Sequence, residues 1–257
     1  MNSFIGRGAA SLALSMTLAA GFAQAETFKS EYVVSLFGLS VARSNFTTQF
    51  DGDRYAISGG LRSAGLAELF DDTRGTINAS GAIGKSGAVP ASYAVNYTTG
   101  KKKKNTQLGF AKGGVSSVSN TPPVKKGENW IEVTPAQLKA VADPITVFMV
   151  KAESLNSVCS KTLRVFDGET RIDFVLSPVG QTEVKTSGYA GPAVTCALRF
   201  VPLSGYQRGK KQIEYLRKSR SMQVTFAPMR QTGFYAPVLA KVGTQIGTVT
   251  IKASRFE

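Results

Sequence analysis

Three pairs of carboxylates lie close enough in sequence to act as an acid and a base: Asp51 with Asp53, Asp71 with Asp72, and Asp167 with Asp173. Hydrolysis by such a pair needs one carboxyl kept protonated and the other ionised. The chain has no histidine, which removes the commonest general base, the commonest metal ligand and every Ser-His-Asp or Cys-His arrangement. A zinc ion would find carboxylates alone, a poor ligand set. No glycine-rich phosphate loop stands between a strand and a helix. Neither a metal nor another cofactor is expected. Each acidic pair also has a plainer reading. Asp51 and Asp167 precede glycine, where Asp accepts local turn hydrogen bonds. Asp173 falls on the polar side of a strand, facing Arg164 or Arg171.

Cations are the stronger signal. Lys and Arg number 31 against 17 Asp and Glu, a formal charge of +14. They cluster at Lys101-Lys102-Lys103-Lys104, Lys125-Lys126, Arg208, Lys210-Lys211, Arg217-Lys218 and Arg220. Lys101, Lys102, Lys103, Lys104, Arg208, Lys210 and Lys211 are the leading candidates for anion binding. The alternative is that they are solvated loops and edge-strand lysines that block aggregation. Phe148, Met149, Val150 and Leu155 form an apolar group that either fills a groove or belongs to an ordinary core.

The first 25 residues read as a cleaved leader. Arg7 gives a basic start, Ala9 to Phe22 is a short apolar run, and Ala23-Gln24-Ala25 is an A-x-A cleavage site. The mature chain, residues 26–257, would be one β-rich domain in the periplasm, with its charge reduced from +14 to +13 by the loss of Arg7. No later stretch has the roughly 20 apolar residues of a membrane helix. In an oxidising compartment the two cysteines, Cys159 and Cys196, are expected to pair. Nucleic acid is not an expected partner there. Anionic lipid head groups, lipopolysaccharide phosphates, acidic wall polymers and other proteins are.

The elements that would position these groups are mostly strands. The run from Thr27 to Phe50 reads as two strands broken near Gly38, and Asp51-Gly52-Asp53 turns the chain into a third. Leu61 to Asp72 is either a short helix or a loop. Two further strands flank Gly84 to Pro90. A hairpin spans TQLGFA and VSSVS across Lys112-Gly113-Gly114. Thr134 can cap a helix with Pro135 first and Gln137 as its capping-box partner, and Asp143-Pro144 repeats the device. One or two short helices are therefore expected between Thr134 and Ser157. Asp167-Gly168 predicts a tight hairpin between TLRVF and TRIDFVL, in which Ile172, Phe174 and Leu176 alternate with polar residues. Strands resume after Cys196: ALRFVPL, KQIEYLR, SMQVTFAPM, FYAPVLAKV and IGTVTIKAS. About a dozen short strands without alternating helices predict a curled antiparallel sheet, as an open barrel, half-barrel or β-spiral, around one helical insert.

Several motifs carry a family resemblance. A Tyr-rich opening strand with FGL is followed by DPIT at Asp143 to Thr146, LRVFDG at Leu163 to Gly168 with R-x-D-F after it, the Cys159/Cys196 pair, and Gly205-Tyr206. In these the chain resembles an exported proteobacterial family catalogued as domain of unknown function 3108. The resemblance implies a β-rich cell-envelope protein and supplies no catalytic residue. Envelope proteins of similar build wrap a helix or an apolar ligand in an open β-spiral. The function expected is thus non-enzymatic binding of an apolar or anionic envelope component, or of a protein partner. Two alternatives remain: an outer-membrane β-barrel, and a carboxylate-based hydrolase of an envelope polymer.

Overall fold

The computed structural model describes residues 25–65 and 72–257. The expected leader, residues 1–25, lies outside the described residues except for Ala25. So does most of the ambiguous stretch before Asp72; its first residues end a strand.

Among the described residues, fourteen strands form one antiparallel sheet. Its first seven follow the chain: β1 (Glu26–Leu36), β2 (Leu39–Asp51), β3 (Arg54–Ser63), β4 (Thr73–Gly84), β5 (Gly87–Thr99), β6 (Lys102–Ala111) and β7 (Gly114–Thr121). The turns sit where glycine was expected to place them, at Gly38, Gly52 and Gly113, all with positive φ. An insert then carries β8 (Trp130–Ile131) and β9 (Val150–Lys151). The second half contains β10 (Thr162–Phe166), β11 (Arg171–Thr186), β12 (Tyr189–Ser204), β13 (Tyr206–Gln207), helix α1 (Lys211–Lys218), β14 (Gln223–Pro228), β15 (Phe234–Thr244) and β16 (Gly247–Phe256). The order across the sheet is β10-β11-β12-β14-β15-β16-β1-β2-β3-β4-β5-β6-β7, with β9 added on β15. β8 and β13 pair separately. The last strand therefore pairs with the first, and β7 and β10 are the two edges.

The insert between Thr134 and Ser157 is helical only in short 3₁₀ turns, at Pro135–Leu138, Thr146–Phe148 and Leu155–Ser160. The capping box at Thr134 forms, its N–H donating to Gln137 Oε1 at 3.0 Å. No longer helix grows from it because the backbone of residues 139–142 bonds to sheet edges on both sides instead. The one α-helix among the described residues, α1, lies where KQIEYLR reads as a strand. Its half-buried Ile213 and Leu216 are three apart and share a helix face, and Arg217 pairs with Glu214 at 2.6 Å, also three residues apart. Apolar spacing by three, not by two, decides the element.

β11 and β12 are longer than sequence suggests, 16 residues each. Pro178 and Gly180 do not end β11, because a register shift between them absorbs the missing donor as a bulge. The Asp167-Gly168 hairpin forms with a four-residue connection, 167–170, rather than a two-residue turn. Asp167 Oδ1 accepts the Glu169 and Thr170 N–H groups at 2.8 and 2.6 Å, and this local cap favours the wider turn.

Two apolar clusters fill the interior. The larger joins Phe28, Phe50, Tyr55, Ile57 and Tyr93 of the first half to Val141 and Met149 of the insert and to Phe234 and Phe256. The smaller packs Val150, Val158 and Cys159 against Leu163, Leu176, Val194, Cys196 and Phe226. The Cys159–Cys196 disulfide, Cα atoms 5.4 Å apart, ties the end of the insert to β12 inside that cluster. With a sequence separation of 37 it restricts a long loop of the unfolded chain. Cys159→Ser is expected to cost about 2–4 kcal/mol in denaturant unfolding under oxidising conditions. A midpoint equal to wild type would show that the bond adds nothing.

Candidate functional site

Both edges of the sheet end on the same short segment. Gly114 of β7 bridges Lys139 antiparallel, and Val165 of β10 bridges Ala142 parallel. Ala140 N–H donates to Gly113 O at 2.7 Å, Ala142 N–H to Arg164 O at 2.9 Å, and Phe166 N–H to Ala142 O at 3.0 Å. Residues 139–142 thus form a seam between edges that do not meet strand to strand. Side chains extend it. Asn120 Nδ2 donates to Gly168 O at 2.9 Å and Thr106 Oγ1 donates to Asn120 Oδ1 at 2.7 Å. Gly168 has φ +97°, and a Cβ there would collide with Thr106 Cγ2. Only glycine lets the 167–170 turn approach β6 this closely.

Next to the seam, Asp143 is fully buried. Its Oδ1 accepts from Ile145 N–H at 3.0 Å and Thr146 N–H at 2.8 Å, while Oδ2 has no partner among the described residues. Thr146 Oγ1 and the Tyr55 hydroxyl are hydrogen-bonded at 3.1 Å. Burial pushes the Asp143 carboxyl above the usual carboxylate range, against the lowering effect of the backbone donors. The phenols of Tyr55 and Tyr93 are raised first by burial and further by Asp143. Arg171 anchors the other end of the insert. Its Nε donates to Gln137 O at 2.9 Å, and one terminal nitrogen donates to Ile172 O and Asp173 Oδ1, both at 2.6 Å.

Of the acidic residues considered for catalysis, Asp167, Asp173 and Asp72 have other partners. Asp167 caps a turn and Asp173 holds Arg171, the nearer of the two partners expected for it. Asp51 and Asp53 are exposed in the β2–β3 turn. Asp72 pairs with Arg74 at 3.0 Å, and Asp71 lies outside the described residues.

The lysines fall in two sequence groups, one at the β5–β6 turn and one at the start of α1. Lys101 to Lys103 are exposed at the β5–β6 turn, and Lys104 pairs with Glu169 at 3.6 Å. Pairing of β6 with β7 begins only at Asn105, so Lys102 to Lys104 lie on open sheet edge, where lysine discourages further strand pairing. Arg208, Lys210 and Lys211 are exposed before and at the start of α1. The residues expected to fill a groove are divided as well. Met149 is in the larger core, whereas Phe148 and Leu155 pack on the disulfide cluster, Phe148 with its ring 5.8 Å from that of Phe174.

A concave site does exist where sequence reasoning did not look. The β11–β12 hairpin arches back onto β16: Ser187 N–H donates to Ser254 O at 3.1 Å, and Phe256 N–H donates to Ser187 O at 2.8 Å. Beneath the arch, over β14, β15 and β16, lies a recess of about 360 Å³. Thr182, Thr186, Thr195, Thr225 and Gln223 line it with hydroxyls and an amide, and Lys185, Lys241 and Lys252 add positive charge against the single carboxylate of Glu183. Thr195 and Thr225, directly opposed on β12 and β14, share a hydrogen bond at 2.9 Å. The alternation Gln223, Thr225 against Val224, Phe226 was the available signal: its polar face is turned toward a covered surface, with Thr225 buried. The apolar Val184, Val238 and Leu239 complete the lining, so the recess combines hydroxyls and positive charge with an apolar floor.

The described chain is thus a curled, open antiparallel sheet of β-barrel-like form, joined at one seam by a short insert. It belongs to the family described as protein of unknown function (DUF3108), which matches residues 31–254. No curated protein matches it. Among solved structures it is similar to the crystal structure of a beta-barrel-like protein of domain of unknown function DUF1849 from Brucella abortus, at 11% identity, over 90% of this chain and 97% of that one, with a TM-score of 0.44.

The buried carboxyls make a pH prediction. Asp143 and Asp167 both have raised values, chiefly from burial, so the folded state binds more protons than the unfolded one. The stability this adds is complete below the ordinary carboxylate range, about 4, and is lost as pH rises through the raised values. The thermal midpoint is expected to rise as neutral solution is made mildly acidic. Asp143→Asn, which keeps the Oδ1 acceptor, should flatten that rise. A variant profile parallel to wild type would contradict the assignment.

Proposed function

We propose that this is a non-enzymatic periplasmic component of the cell envelope that binds an anionic envelope saccharide, phosphorylated or carboxylated, in the recess beneath the β11–β12 arch. The observation that carries the reading is the charge of the lining: three lysines against one carboxylate, set among four threonines, one amide and the apolar Val184, Val238 and Leu239. Lysines supply charge to phosphate or carboxylate oxygens, and threonine and glutamine match sugar hydroxyls. The leader-like first 25 residues and the buried Cys159–Cys196 bond support an exported, oxidising location. The engagement of Asp143, Asp167 and Asp173 in turns and a buried ion pair favours a binding role over a hydrolase.

The outer-membrane alternative is weakened by how the sheet closes and not by strand length, since most strands among the described residues are ten residues or longer. A membrane-spanning barrel must satisfy every edge group strand to strand. Here β7 and β10 are joined through an irregular segment, and Phe256 packs inward against Phe28 with ring centroids 4.7 Å apart.

Titration with isolated lipopolysaccharide and with soluble wall fragments tests the reading. One of the two should bind, and Lys241→Glu with Lys252→Glu should weaken that binding by at least about tenfold, since each reversed charge near an anion is worth roughly 1 kcal/mol or more. Binding of neither ligand, or binding indifferent to both lysines, would refute it.

A further inference from the structure

The most exposed large apolar side chains are not scattered. Phe37 is 74% exposed, Ile246 66% and Leu39 57%. Phe37 and Leu39 belong to the β1–β2 turn and Ile246 to the β15–β16 turn. These turns are neighbours because β1 pairs with β16 as far as Leu36 and Val249. A Cβ on Gly247 would lie 2.7 Å from the Phe37 ring, so the two tips touch. The second tip also touches α1, through Gln245 Nε2 donating to Lys211 O at 3.4 Å. Lys211, Lys218, Arg220 and half-exposed Tyr215 share one groove with Gln245. Around it stand the exposed Lys210 and Arg217, with Glu214 as the one acid on the helix, paired to Arg217.

Phe37 is out of place on local grounds. Phe37 and Gly38 have φ of +53° and +80°, the two-residue turn whose first position favours Asn, Asp or Gly. A bulky residue with positive φ costs backbone strain, and no burial offsets that cost here. Held in that conformation, an aromatic ring projects into solvent beside two aliphatic tips, with a basic helix alongside.

We propose that this rim, the Phe37–Leu39 and Ile246 tips with α1, docks on the surface of an anionic lipid bilayer. The tips enter the interface between head groups and acyl chains. The basic residues of α1 sit over the head groups. Apolar insertion and attraction to anionic lipid reinforce each other in such a contact. Charge complementarity selects lipid over a second copy of this chain, because two copies meeting at the rim would oppose two basic helices. The proposal rests on the envelope reading for the presence of a membrane. None of the residues named at the rim lines the recess, although Lys241 and Lys252 lie on β15 and β16, the strands that the Ile246 turn joins.

Vesicle co-sedimentation of the exported protein, purified from its own periplasm without detergent, tests it. Phosphatidylcholine vesicles are compared with vesicles also containing phosphatidylglycerol. Wild type should sediment with the anionic vesicles only and be released by salt. Phe37→Asn with Ile246→Asn should weaken sedimentation by at least about tenfold, since two large apolar side chains no longer enter the interface. Asn suits the positive φ at position 37, so thermal stability should be equal or higher and saccharide binding in the recess unchanged. Phe37→Trp should sediment like wild type. The proposal is overturned if the Asn variant binds anionic vesicles like wild type, or if wild type binds both vesicles equally or neither. A concentration-dependent dimer lost in the Asn variant, without vesicle binding, would identify a second copy as the occupant and equally overturn it.

Discussion

The architecture depends on a mismatch that the chain must resolve. A long antiparallel sheet curls because strands twist, and its core is protected only if the two edges are brought together or covered. Here they cannot pair directly, and residues 139–142 serve as a third partner, bonded to Gly113 on one side and to Arg164 and Phe166 on the other. The segment can do this only if the chain leaves it in a fixed direction. Asp143 imposes that direction by holding the N–H groups of Ile145 and Thr146 with one buried oxygen. At the other end Arg171 holds the carbonyl of Gln137.

This gives a physical reason for the motifs through which the chain resembles its family. DPIT supplies the Asp143 cap and the Thr146 hydroxyl bonded to Tyr55. LRVFDG supplies the bridge at Val165, the Asp167 cap and the close approach of Gly168 to Thr106. The R-x-D-F residues Arg171 and Asp173 form the buried ion pair. These three motifs converge on the seam, whereas FGL lies at the β1–β2 turn and the cysteine pair in the smaller core. Those at the seam are residues of construction, and the surfaces proposed to meet other molecules lie elsewhere: the recess under the arch and the apolar rim beside α1.

Much of the fold was legible because strand alternation and glycine turns are local signals. The first seven strands and the β6–β7 hairpin follow from them, while the cysteine pairing was read from the leader-like start and the count of two. What was not legible depended on distant partners. A helix was expected from the caps at Thr134 and Asp143, but competition from two sheet edges for the same backbone groups left 3₁₀ turns. The strand expected at Lys211 to Arg217 is a helix because Ile213 and Leu216 find a surface on one side only. Pro178 and Gly180 are punctuation in sequence and a bulge in a long strand. Of the recess only the Gln223, Thr225 alternation was legible, because Thr195, Thr225, Gln223 and Lys252 come from three strands that no short-range pattern connects.

The most direct test of the seam is hydrogen exchange at single-amide resolution. The amides of Ala140, Ala142 and Phe166 should exchange as slowly as those in the centres of β10 to β12, because opening them opens the sheet. Exchange at the rate of the exposed β2–β3 turn, with the strand centres still protected, would mean that the edges are not joined there and that the sheet holds its curl by other means.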